Sequence, residues 1–371
     1  METKTFEVIE SPGIIRDFPA HKLVEAAFTD GQNFHFPVEG AESLSGNKET
    51  FSEASITPLW LWPFPPLVAP KWVYADLNQV FVVDGTTHTE ITRVSGNYSA
   101  LASERWSACV FNGVGILNNG QDLPQAWSDF DPTTKLIDLT NWDATRRAKV
   151  IRPFKNFLVA LNLTDSGVER PYRILWSDSA VPGTLPGSWD STDPATDSRE
   201  FDLAQTSDHL VDCLPMGEIN IIYKEASTWG MSAIGPPYYF RFWEILSKTG
   251  LLHRDCVAAT PIGHIVVTID DIILHNGQPE QSKSIIDSKL RKWLFSSIDP
   301  TNFKNSFAFA DVKNNEFHFC FPEIDQIYAT KDVTWNWKKN SFGIKDLSPT
   351  PFMTVGPIGE SQIDDLIWDP V

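Results

Sequence analysis

LVDCLPMGEINIIYKEASTWGMSA, residues 210–233, is the stretch from which the fold is read. An apolar run, a Pro-Met-Gly-Glu turn, a second apolar run, a polar break and a third short run make three strands of an antiparallel meander, because turn residues fall where each run ends. The same punctuation recurs in CVAATPIGHIVVTIDDIILHNG from Cys256, VIRPFKNFLVALNLTDSG from Val150 and FAFADVKNNEFHFCFPE from Phe307. Fainter copies are WVYADLNQVFVVDG from Trp72 and WSACVFNGVGILNNG from Trp106. Blade lengths of β-propellers run to roughly 40–50 residues, and the copies are spaced around that value, with one longer step where a loop is inserted. The spacing predicts an all-β chain: a β-propeller of about six meander blades over residues 58–371, preceded by an extended N-terminal arm over residues 1–57. The second strands, among them QVFVVDG, NFLVALNL, EINIIYKE and EFHFCFPE, are largely apolar on both faces, as suits strands covered on both sides.

Outside the copies the chain changes character. In SITPLWLWPFPPLVAPKW, Trp60, Trp62, Phe64 and Trp72 alternate with prolines, which forbid a helix and remove strand donors. The stretch is read either as buried, lacing the arm to the first blade, or as an intersubunit contact. Between Tyr172 and Asp202 the sequence is too rich in Pro, Gly, Ser and Asp for regular structure and is expected to be a long surface loop. One helix is expected over residues 281–297, where Ile286, Leu290, Trp293 and Leu294 share a face and Lys283, Lys289, Arg291 and Lys292 form a basic cluster on the other. VTWNWKKNSFGIKDL reads as a last hairpin, and DDLIWDP near the end could close the ring against the first blade. An arm with few apolar anchors cannot offset its own ordering entropy, so it is expected to be held by a neighbouring subunit or adaptor.

The formal net charge is −18, which disfavours nucleic-acid grooves and anionic membranes as partners. The four cysteines lack CxxC spacing, and no apolar run approaches a membrane span. Folding in a reducing cytoplasm is the expectation. Neither metal, cofactor nor catalytic residues are assigned: the histidines show no HExxH, and neighbouring Asp270 and Asp271 point to opposite faces of a strand. Two features could suggest an enzyme. SDSAVPGTLPGSW from Ser177 loosely resembles the Asp-box of sialidase propellers, and Arg146, Arg147, Arg152, Arg170 and Arg173 could be grouped as a carboxylate-binding set.

PGIIRDFPAHKLVEAAFTDGQNFHF, residues 12–36, resembles the opening of tail proteins from short-tailed bacteriophages, through Pro12, Gly13, Ile14, Arg16, Asp17, Phe28, Thr29, Asp30, Gly31 and Asn33. The stretch from Ile174 to Met231, with residues 238–278 and RKWLF from Arg291, is similar to the propeller body of the same group, the tail nozzle (tail tubular protein B-like or packaged-DNA stabilising) proteins. The resemblance implies a virion structural protein made in the host bacterial cytoplasm. It would be a homohexameric ring below portal and adaptor, meeting tail fibres or tip proteins, with genomic DNA passing its lumen without sequence-specific binding. No membrane contact is implied. Arg16, Asp17, Phe28, Trp60, Trp62, Lys289, Arg291 and Lys292 are the candidate contacts to a subunit or adaptor. A glycan-processing propeller and a monomeric binding propeller are the alternatives.

Overall fold

The computed structural model describes residues 11–24, 26–36, 41–43, 50–64, 71–128 and 130–356. Among them, six four-stranded antiparallel sheets follow one another, each with its strands in chain order, and a two-stranded pair lies in the arm. The chain is an all-β, six-bladed β-propeller with one short α-helix. By their contacts the residues divide into two compact units: one contains the first four blades, the other the arm with the fifth and sixth blades.

In the four-blade unit, two-sided burial can be followed residue by residue. The inner strand of the third blade, Phe157–Asp165, directs Leu158 and Ala160 toward Phe111 and Ile116 of the second blade. Val159 and Leu161, on its other face, meet Leu210, Ile222 and Trp229 of the fourth. At Asn162, with φ 56°, the register shifts, so that Leu163 returns to the face of Leu158. Removing the Leu161 side chain, which is fully buried, would cost about 2–5 kcal/mol. The turn at Asn112 and Gly113 has φ 51° and 85°, the left-handed pair that a two-residue hairpin requires.

Two elements differ from expectation. The first blade begins one strand earlier: Trp60–Phe64 pairs with Lys71–Ala75, with Pro63 opposite Trp72. It is the terminal strand of its sheet, and a proline is tolerated where one side of the ladder is free. QVFVVDG is therefore a third strand rather than a second. The helix, α1, spans only Arg291–Ser297. Ile286, Leu290 and Leu294 are buried as their spacing predicts, yet Lys283–Ser284 instead supplies the fourth strand of the fifth blade. There it pairs with Ile273 and Leu274, whose open backbone groups outweigh a weak helical preference. Of the loop expected between Tyr172 and Asp202, residues 177–198 contain no strand, whereas residues 172–176 complete the strand Val168–Trp176 and Arg199–Asp202 is the fourth strand of the third blade. The proposed closing strand near Asp364 lies outside the described residues.

A buried cation ties the third blade to the fourth. Lys224, its side chain without exposed surface, donates to the carbonyls of Leu203 (3.1 Å) and Thr206 (2.9 Å) and to Thr206 Oγ1 (2.7 Å), and its ammonium is 3.1 Å from the Asp208 carboxylate. Burial pushes the Lys224 pKa down. Burial also opposes ionisation of Asp208, but donors from Thr206, Ala226, Ser227 and Lys224 outweigh it and hold that carboxyl at about 2, below its ordinary 3.8. A lowered carboxyl contributes stability that is complete above its unfolded pKa and is lost as pH falls toward the folded one. Thermal unfolding of wild type and Asp208→Asn is therefore expected to show a Tm gap at neutral pH that narrows between about pH 4 and about pH 2. A gap independent of pH would contradict the charged pair.

Candidate functional site

The arm is first tied to itself. The Ile15 N–H donates to the Phe28 carbonyl (2.8 Å), the Phe28 N–H to Gly13 (3.0 Å), and Ser11 Oγ to Ala26 (2.7 Å). The rings of Phe28 and Phe36 lie 5.5 Å apart. This piece then seats on the sixth blade's outer strand, Ser341–Thr350. The Ile14 N–H donates to the Phe342 carbonyl (2.9 Å), and the Phe342 N–H donates to Pro12 (3.1 Å). Gly13, at φ 77°, lies so close that a Cβ would overlap the Phe342 carbonyl, so only glycine fits. Farther along, the Asn33 N–H donates to Ile344 (2.9 Å) and the Asp346 N–H donates to Asn33 Oδ1 (2.9 Å). A strand edge that would expose donors and acceptors is thereby covered over part of its length.

The second anchor is α1. The residue preceding it, Leu290, makes no capping hydrogen bond. Asp17 provides one from the arm: its carboxylate accepts the N–H groups of Lys292 (3.1 Å) and Trp293 (3.3 Å). Such a cap contributes about 1 kcal/mol. The N–H groups of Arg16 and Asp17 donate to the Lys289 carbonyl (2.9 and 3.0 Å). The Arg16 guanidinium sits 4.5 Å above the Trp293 ring and pairs with Asp30. The Gly31 N–H, and then Arg16, hold the Asp30 carboxyl below its usual range.

Of the candidate contact residues, Arg16, Asp17, Lys289 and Lys292 thus meet in one clasp, and Phe28 braces the arm behind them. Lys289 reaches Asn340 Oδ1 (3.1 Å) and lies 4.7 Å from the centroid of the Phe342 ring; burial pushes its pKa down. Arg291 pairs instead with Asp271 and Asp287 of its own unit. Trp60 and Trp62 are elsewhere, in the first blade, where Trp60 is buried and Trp62 packs edge-on to Phe64 (5.1 Å), itself stacked on Phe130 (3.9 Å). Within the single chain, residues 11–24 and 26–36 are held by the sixth blade and α1 through backbone pairing and the Asp17 cap, and Phe51, Ala54 and Ile56 pack on Trp72 and Tyr74. Phe342 and Trp293 were missed as receptors, although Gly13 and Asn33 in the arm motif already pointed to a close backbone approach.

Several of the remaining polar groups are paired within the chain. His318 Nδ1 is 2.8 Å from the Asp332 carboxylate and Nε2 3.6 Å from that of Glu316, all three being buried. Burial opposes ionisation of Asp332, but the neighbouring His318 and Lys345 outweigh it and lower its pKa. The recess beside them, lined by Phe36, Glu316 and Thr334, leaves essentially no room even for a water molecule and is no small-molecule site. Arg152 grips Asp212 (2.9 and 2.8 Å) and Arg173 grips Asp202 (2.8 and 2.9 Å), each through two hydrogen bonds, while Arg146 pairs with Asp165. These arginines are matched by the chain's own carboxylates rather than arranged for an outside one. Burial pushes the Cys213 thiol up to about 12, far from a reactive thiolate. Among the described residues no group of His, Cys, Asp and Glu could hold a metal ion, and no helix is long and apolar enough to cross a membrane.

No family model and no curated protein matches the chain. Solved structures similar to it include apo AztD from Citrobacter koseri, at 12% identity and TM-score 0.44, with 81% of this chain and 89% of that one covered. A second is Hsv2 of Kluyveromyces lactis with loop 6CD replaced by a Gly-Ser linker, at 10% identity and TM-score 0.41, covering 78% and 83%. A third is PorZ, an essential bacterial surface component of the type-IX secretion system of Porphyromonas gingivalis, at 8% identity and TM-score 0.43, covering 78% of this chain. The chain spans only 33% of the length of PorZ.

Disrupting the clasp should free the arm and spare the blades. Gly13→Ala places a side chain in left-handed backbone, at about 1–2 kcal/mol before the clash, and Asp17→Ala removes a cap of about 1 kcal/mol. Both should speed tryptic cleavage after Arg16 by roughly fivefold or more, Gly13→Ala the more strongly, with little change in the thermal midpoint of the blades. Wild-type cleavage rates in both variants would refute the clasp.

Proposed function

We propose that the chain is a structural and interaction protein, a tail nozzle of a short-tailed bacteriophage, assembling as a ring of about six copies that continues the DNA channel below portal and adaptor and helps retain packaged DNA until ejection. The observation that carries this reading is the use made of the resembling residues. Pro12, Gly13, Ile14, Arg16, Asp17, Phe28 and Asn33 bind backbone to backbone, cap a helix or brace the arm. These are structural tasks carried out within the chain, and none of them calls for a substrate. Charge is consistent with a channel: a ring of six carries a formal charge on the order of −100, which leaves DNA mobile rather than held by counterion release. The glycan-processing alternative leans on residues 177–189 and the arginines, and Arg146, Arg152 and Arg173 are already paired.

Native mass and negative-stain imaging of the purified chain are expected to give a ring of about six. DNA affinity across a salt series is expected to be weaker than about 1 µM near physiological salt. A monomer at every concentration would favour the monomeric binding propeller. Sub-micromolar binding with a steep salt slope would overturn the sliding channel.

A further inference from the structure

We propose that the arm is an exchangeable clasp: in an assembly of copies, residues 11–36 of one chain occupy the seat on the sixth blade and α1 of the next. This rests on the assembly reading above and specifies how neighbouring copies would be joined.

Three features of the clasp carry the inference. The arm is tied within itself by the Ile15–Phe28, Phe28–Gly13 and Ser11–Ala26 hydrogen bonds and the Arg16–Asp30 pair, so it can move as a unit without losing its own conformation. Every receptor group it uses is remote in sequence: Asp17 reaches Lys292, 275 positions on, and Asn33 reaches Asp346, 313 positions on. No short-range connection therefore favours this chain's own seat over a neighbour's, and occupancy is decided by the length of chain behind the arm. Residues 44–50 join the arm's last paired strand, Glu42–Ser43, to Phe51, which packs on the first blade. Seven residues span up to about 24 Å, and opening the two-residue pair of the arm lengthens the connection to fourteen residues and about 48 Å, comparable with the diameter of a domain of this size.

The seat also has the right symmetry. Arm and seat are different surfaces, so each copy gives one arm and receives one. Passed from each copy to the next, such a heterologous contact leaves no arm or seat open once the copies close into a ring. Exchange forms the same hydrogen bonds as the closed chain does, so the enthalpy of seating is conserved, and the tethering of neighbours supplies the effective concentration.

The test uses full-length chains carrying Cys109→Ser to remove the half-buried thiol. One copy carries Asn33→Cys and a long tag, the other Asp346→Cys and a short tag; they are co-expressed, purified as the assembly and treated with a short bismaleimide. Exchange predicts a mixed-tag linked dimer, at about a quarter of the seats in a randomly mixed ring. A single chain carrying both substitutions should likewise link to its neighbours in the assembly. Intact rings in which the double variant links only within itself, and mixed tags never link, would overturn exchange and leave the nozzle reading standing. A chain that remains monomeric would overturn both.

Discussion

A strand that is apolar on both faces can be buried only if a second sheet lies on each side of it, and that constraint organises the four-blade unit. Leu158 and Ala160 commit the third blade to the second, while Val159 and Leu161 commit it to the fourth. The connection between blades then lies at the margin of two cores, where polar groups must be resolved in place. Lys224 does this for the step from the third blade to the fourth, its ammonium filled by Leu203, Thr206 and Asp208. Stacking faces satisfies side chains but leaves the outermost backbone edge of each sheet unsatisfied. On the sixth blade, part of that edge is answered by the arm at Phe342 and Ile344.

What was legible in the sequence follows from this division. Alternation within a strand and turn residues between strands are local signals, so all six copies could be read, and only the first blade starts a full strand before the residue read as its beginning. Where a local rule competed with a sheet's need for partners, the sheet prevailed. Pro63 entered a strand because that strand is terminal, and Lys283–Ser284 left a helical pattern to complete the fifth blade. In both places much of the apolar pattern is buried, Trp60 and Phe64 in one and Ile286, Leu290 and Leu294 in the other, while the backbone state differed. Burial is set by composition and spacing, whereas backbone state at an edge depends on which partner remains unpaired.

The clasp was legible on one side only. Gly13 and Asp17 carry recognisable chemistry, a backbone that tolerates close approach and a carboxylate suited to a helix N-terminus, but a single sequence does not say which strand or helix receives them. Their receptors lie about three hundred residues away and are themselves unremarkable: a carbonyl at Phe342, two N–H groups at the start of α1. The basic cluster around that helix showed the same asymmetry. Lys289 and Arg291 are adjacent on paper to an empty face, and in the fold each finds a partner, Asn340 for one and Asp271 for the other.

Charge follows a consistent pattern. The chain carries a large excess of carboxylates, yet three of the five arginines grouped as a binding set, Arg146, Arg152 and Arg173, are each matched to an acid within two blades. Pairing of this kind removes cations from the surface and leaves the excess acid as the outward field. In the proposed ring, a clasp built largely from backbone groups would be compatible with an outward negative field. Like-charged copies repel at long range, so a contact between them must be short-range, geometric and insensitive to charge. Backbone pairing at an edge, with a glycine that permits the approach and a single cap that fixes the register, meets that requirement, whereas an interface of surface ion pairs on so acidic a chain would have to overcome the repulsion first.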